Sequence, residues 1–274
     1  RYDEMLAMLQ AFPETPASVH WNQGENEASS GNSSTWAVDL AGYQDDLVSD
    51  LGIAESALPL VIGTRGPNTD GAEVDANHNA LNAQIITAAN DNANIHLAYG
   101  ADDATLTDTV HWDAASQSAI QKRVAYELAR LRGDETGSAI FKIASFAATN
   151  GTTTTVTVTH GIGTDFTPTS AITAFEVSDD DFATTETITA AVRTDATTIT
   201  LTHADIGSAT RYLRHAAGAN PTTTGLVTDN SALSMPLLKQ PTALSTAAGG
   251  SGATADSTTI TADSTTTTAD GSTP

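Results

Sequence analysis

The sequence predicts an α/β domain, a parallel sheet with helices on both faces, followed by an antiparallel β-sandwich and a low-complexity tail. Three observations predict it. Over residues 1–133 helical and extended patterns alternate. Past residue 138, short alternating stretches recur between Gly, Asp and Asn turns. From residue 254 a seven-residue unit repeats three times, as TADSTTI, TADSTTT and TADGSTP.

Each element has its own signal. Tyr2, Met5, Leu9 and Phe12 form one helical stripe, closed by Pro13. The stretch ASVHW (17–21) reads as a strand. Trp36, Leu40, Tyr43, Leu47 and Leu51 recur at three and four residues, and Gly52 suits the position just past a helix end. LPLVIGTR (58–65) is an apolar run between Pro and Gly, a buried strand. A helix around 74–90 leads to the strand NIHLAYG (94–100). A last helix opens on Asp113 as N-cap, turns Ile120, Val124, Leu128 and Leu131 inward, and stops at Gly133. Three strands are few for such a domain, so its sheet is expected to be incomplete at one edge. The second domain, 139–240, holds AIFKIASFA, TTTVTVTH, AITAFEVS, TITAAVR, TTITLT and TRYLRHA. The acidic run SDDDFATTE (178–186) reads as a hairpin turn, since it lacks the turn glycine of a calcium loop. Residues 245–274 have almost no large apolar side chain and cannot bury a core, so they read as a linker or stalk.

Composition excludes several function classes. A net charge of −22 with three lysines is unfit for contacts to a nucleic-acid backbone. With no cysteine, there is neither a disulfide frame nor a thiolate metal site. The histidines show no paired ligand spacing, so no metal centre is expected. No apolar run approaches the roughly 20 residues of a membrane span. The chain opens inside a helical pattern, RYDEMLAML, and the parent protein is expected to start before Arg1.

Two short blocks carry chemistry. In a parallel sheet, ligands bind beyond the carboxyl ends of the strands, and NQGE (22–25) follows ASVHW at such an end. The Gln23 amide offers two donors, and Gly24 lets a substrate approach the backbone. In DTVHWD (108–113), Asp108 lies three residues before His111. A carboxylate so placed takes a hydrogen bond from one ring nitrogen and leaves the other to act as a base. Each block also has a plain reading. A Gln-Gly-Glu run is often a turn, and D-x-x-H is often a helix-entry turn with a solvated histidine.

Taken together, WNQGENE (21–27) and DTVHW (108–112) resemble the W-x-Q-G-E-x-D and D-x-x-H-[FW] blocks of the SGNH (GDSL-type) hydrolases, in their sialate O-acetylesterase-like carbohydrate esterase branch. Glu27 stands where the family has Asp. The stretch 209–237, with an Arg-Tyr pair and then NSALSMP, resembles the family's closing stretch more loosely. The resemblance implies a serine hydrolase that cuts acetyl esters from acetylated surface or extracellular glycans without cofactor or metal. It makes His111 the general base, Asp108 its orienting partner and Gln23 an oxyanion donor. Gly24 lies beside that donor, and Glu25 supports the site by hydrogen bonding. The family's G-x-S nucleophile block is not recognisable here. Ser18 lies inside a strand without the preceding glycine, so the serine is expected upstream, on the same polypeptide or a cleaved partner chain, and this chain alone is expected to be inactive. A second reading keeps the fold without the activity: a structural or receptor-binding piece of a phage tail or surface fibre, assembled as a homo-oligomer. Either reading places the protein outside the cell, on its surface or on a virion.

Overall fold

The computed structural model describes residues 2–69, 71, 74–207 and 210–246. All of the repeat lies outside the described residues, as does the rest of the expected stalk past Thr246. The first part runs α1 (Tyr2–Ala11), β1 (Val19–His20), α2 (Glu25–Ser30), α3 (Trp36–Leu51), β2 (Leu60–Gly63), α4 (Asp75–Asp91), β3 (Ile95–Tyr99) and α5 (Ala114–Leu131). The strands form a three-stranded parallel sheet in the order β1-β2-β3.

Strand alternation decides which helix covers which face. Leu60 and Ile62 share a core with Trp36 and Leu40 of α3 and with Leu81 and Ile85 of α4. Val61, between them, joins Ile120 and Val124 of α5. The expected caps are present. Gly52 ends α3 with a left-handed φ of 67°, and the Asp113 side chain accepts the Ser116 N–H at 2.7 Å. One expectation fails. Phe12 lies past the end of α1 and is 63% exposed, while Tyr2, Met5 and Leu9 pack on α3. Pro13 explains this, because the residue before a proline is pushed out of the helical region.

The second part contains β4 (Lys142–Asn150), β5 (Thr153–Thr159), β6 (Phe166–Thr167), β7 (Phe175–Ser178), β8 (Ile188–Asp195), β9 (Thr198–His203), β10 (Arg211–His215), β11 (Thr228–Asp229) and β12 (Gln240–Thr246). They pair as antiparallel sheets, β4-β5-β9-β8, β12-β10-β7 and the short β11-β6. On β5 the buried residues Thr154, Val156 and Val158 alternate with partly exposed threonines. Val156 and Val158 share one core with Val177, Leu213 and the α5 residues Ile120 and Val124. The hydrophobic core therefore runs from the parallel sheet into the antiparallel sheets without a break. The run 178–186 is not a hairpin, since β7 and β8 belong to different sheets. Asp180 instead collects the Ser178 and Thr184 hydroxyls and the Thr184 N–H, which turns the chain from one sheet to the other.

The stretch 216–239 is tied to the α/β part by specific bonds. Gly218 N–H donates to Asn79 Oδ1, Ala219 N–H to Asp75 Oδ1, and Asn68 N–H to the Ala219 carbonyl. Arg123, almost fully buried, donates to the carbonyls of Gly100 and Ser234 and pairs with Asp103. Deeper still, Lys239 Nζ lies 2.8 Å from His78 Nε2, 3.0 Å from Asp102 Oδ1 and 3.3 Å from the Arg65 carbonyl. One ammonium has three N–H donors, and three acceptors surround this one. Among the described residues no helix is long and apolar enough to cross a membrane.

Candidate active site

The loop between β3 and α5 is a tight local structure. Thr107 N–H donates to the His111 carbonyl, and Asp113 N–H to that of Thr105. Asp108 sits at its tip. One carboxylate oxygen accepts the backbone N–H groups of Val110 at 2.8 Å and His111 at 2.7 Å, and the other lies 2.8 Å from His111 Nδ1. Those bonds, the backbone N–H of His111 foremost, hold the Asp108 carboxyl far below the usual carboxylate range. The ring is thereby oriented through Nδ1, and Nε2 is the nitrogen a base would use. The His111 side chain is 79% exposed, so the pair stands at the rim of the molecule.

Below it lies a crevice of about 150 Å³, lined by His111, Asn22, Arg65, Trp112, Gln117 and Gln121 among others. Three carboxyl ends of the parallel sheet meet here. Asn22 follows β1, Arg65 follows β2, and His111 belongs to the loop after β3, the placement open parallel sheets favour for ligands. Arg65 is held from several sides. Its N–H donates to Asn82 Oδ1 at 2.7 Å, its carbonyl receives Lys239, and its guanidinium lies 5.8 Å from the Trp112 ring centre. The loop after β2 is also pinned to the histidine loop, by Thr69 N–H donating to the Thr109 carbonyl at 2.8 Å.

The WNQGENE block is arranged as follows. Asn22 is its contribution to the crevice lining. The Gln23 amide donates to Glu27 Oε2 at 2.6 Å, one helical turn on. Gly24 is buried with a φ of 152°, and a Cβ there would stand 2.8 Å from Leu81 Cδ2. Glu25 opens α2, and its side chain lies outside the described residues. Sequence reasoning missed Arg65, Gln117 and Gln121. Arg65 had a signal, as the last residue of LPLVIGTR at a strand's carboxyl end. The two glutamines, four apart on α5, had only their spacing. Among the described residues, no three of His, Asp or Glu converge as a metal site would require.

No protein-family model matches the chain, and no curated protein does. Among solved structures it resembles a carbohydrate acetylesterase from Xanthomonas citri, with a TM-score of 0.66 and 15% identity. The likeness covers 89% of this chain and 53% of that one, so the chain spans about half of that protein's length. At this identity the likeness shows the fold, an α/β esterase-like one. The N-terminal part of the bacterial S-layer protein SbsC gives a TM-score of 0.29 at 15% identity, over 59% of this chain and 31% of that one. Domains 1–6 of SbsC give 0.30 at 16%, over 49% and 16%. Likeness that weak carries no argument.

Proposed function

We propose that this chain is part of an extracellular carbohydrate O-acetylesterase of the sialate O-acetylesterase-like SGNH branch, which deacetylates surface glycans. The observation that carries the reading is the 2.8 Å contact of His111 Nδ1 with Asp108, at a crevice lined also by Asn22 of the W-x-Q-G-E block. The fold of a carbohydrate acetylesterase supports it. About 150 Å³ suits an acyl group better than a whole sugar, which would lie outside across the rim.

In this mechanism a serine Oγ, from a G-x-S nucleophile block supplied upstream of these residues, attacks the acetyl carbonyl as His111 Nε2 takes its proton. Asp108 steadies the imidazolium that forms. By the resemblance the tetrahedral oxyanion is met by the Gln23 amide, one residue past the Asn22 that lines the crevice, once that amide gives up its bond to Glu27. Collapse expels the sugar hydroxyl, which receives the proton from His111. Water then attacks the acetyl-serine by the same route, and acetate leaves. Glu25 supports the Gln23 loop. Residues 139–240 serve in this reading as an accessory β-sandwich.

The test is acetate release from an acetylated glycan by the polypeptide that joins a G-x-S block to residues 1–274. His111→Ala is expected to lower turnover by several powers of ten. Gln23→Ala is expected to cost about 10²–10³. Residues 1–274 alone are expected to release no acetate above background. Turnover by that chain alone, or full activity of His111→Ala, would overturn the reading.

A further inference from the structure

We infer that the groove where the parallel sheet meets the antiparallel sheets is a second carbohydrate site, one that takes a carboxylate-bearing oligosaccharide. The inference rests on the carbohydrate reading above but uses none of its catalytic residues. The groove measures about 470 Å³, within the roughly 300–1,000 Å³ of small-molecule sites. It follows β3, where the consecutive residues Ile95, His96 and Leu97 line it, and β4 and β12 contribute the facing wall. β3, β4 and β12 are each the last strand of their sheet, so three strand edges converge on one groove.

Its charge runs against that of the chain. Acidic residues outnumber basic ones by 33 to 11 in the sequence, yet the lining holds Arg130, Lys142 and Lys239 against Glu127 alone. Pairing reduces this to one cation. Arg130 forks onto Glu127, and Lys239 is spent on buried Asp102. Lys142 has no carboxylate within ion-pair distance among the described residues. His96, 3.8 Å from Glu127, has its pKa lowered chiefly by burial and serves at neutral pH as a hydrogen-bonding group.

The walls decide the rest of the ligand. Ile86, Ile140 and Leu244 give aliphatic ridges, while Asn90, Gln240 and Thr242 give neutral hydrogen-bonding groups. A hydrocarbon tail would cover those amides and hydroxyls and return nothing to them. A sugar brings hydroxyls for the polar groups and C–H faces for the ridges. A neutral sugar would leave Lys142 unused, and a carboxylate completes the match.

The test is titration of the full chain with oligogalacturonate, read by calorimetry and by backbone amide NMR shifts. Neutral galacto-oligosaccharide and decanoate serve as comparison probes. Oligogalacturonate is expected to saturate, with shifts concentrated on 95–97, 142–143 and 240–244. The neutral sugar is expected to bind about tenfold more weakly or worse. Lys142→Glu is expected to weaken oligogalacturonate by a similar factor, and Thr242→Trp, at an exposed position of β12, to block it by filling the groove. No saturation, shifts elsewhere, equal binding of the neutral sugar, or displacement by decanoate would each overturn the inference. The probe carries no ester, so the two readings fail separately. Groove binding in a protein that never deacetylates would support this site, and deacetylation without groove binding would overturn it.

Discussion

Gly24→Ala tests whether the bend in the WNQGENE block is dictated by packing. Gly24 has a φ of 152° and a ψ of −3°, which L side chains rarely adopt. Forcing a residue there costs on the order of 1–3 kcal/mol. The new Cβ would also stand 2.8 Å from Leu81 Cδ2. Leu81 is fully buried among Leu60, Ile62 and Ile85, so it cannot swing aside without disturbing the core. Such overpacking costs about 1–3 kcal/mol more. The sum, roughly 2–6 kcal/mol, is a large part of the 5–15 kcal/mol typical of a folded protein. Urea unfolding should show that loss, and the melting temperature should fall by roughly 2–4 °C per kcal/mol. Gly42→Ala is the control. Gly42 lies exposed inside α3 with nothing within 4 Å of its Cβ position. Alanine there should stabilise the protein by about 0.5–1 kcal/mol. The same substitution thus has opposite signs at two glycines. A loss of less than about 1 kcal/mol at Gly24 would refute the reasoning, as would a greater loss at Gly42 than at Gly24.

Lys239→Met should cost about 3–5 kcal/mol in urea unfolding, because it strands the fully buried Asp102 carboxylate. Adding Asp102→Asn should recover part of that loss, and no recovery would refute the ionic reading of the cluster. Burial pushes the His215 imidazole down to about 3, partly opposed by the Leu238 backbone. Below the unfolded value of about 6.5 the unfolded chain takes a proton that the native ring refuses. Stability should therefore fall as pH drops from about 6.5 toward 3, and His215→Leu should flatten that slope; an unchanged slope would refute it. The Asp108 carboxylate is held down by the His111 and Val110 N–H groups and the His111 ring. Its contribution to stability is present above the unfolded value of about 4 and is lost as pH falls toward the native one. A carboxyl ¹³C titration of the native protein should show no Asp108 inflection near 4, and one there would show that the bonds are not formed in solution.

What the sequence by itself determined about this protein is what lies within a few residues. The helical stripe of α3, its glycine stop, the Asp113 cap and the alternation of β5 each depend on neighbours at fixed short spacing. The Asp108–His111 contact is of this kind, since three residues of loop bring the groups together. Tertiary structure alone decided the rest. β7 pairs with β10, 33 residues on, and not with β8 beside it in sequence, because the Asp180 turn sends the chain to another sheet. Arg65 reaches the crevice of His111 only because β2 and β3 are adjacent and parallel, which no local pattern encodes. No local pattern marks Lys239, yet its ammonium is engaged by Asp102, His78 and the Arg65 carbonyl. The Lys239 contacts join residues more than a hundred positions apart. Their partners are selected by the shape of the packed core and by the cost of leaving a buried polar group unmatched, and both exist only once the chain has folded.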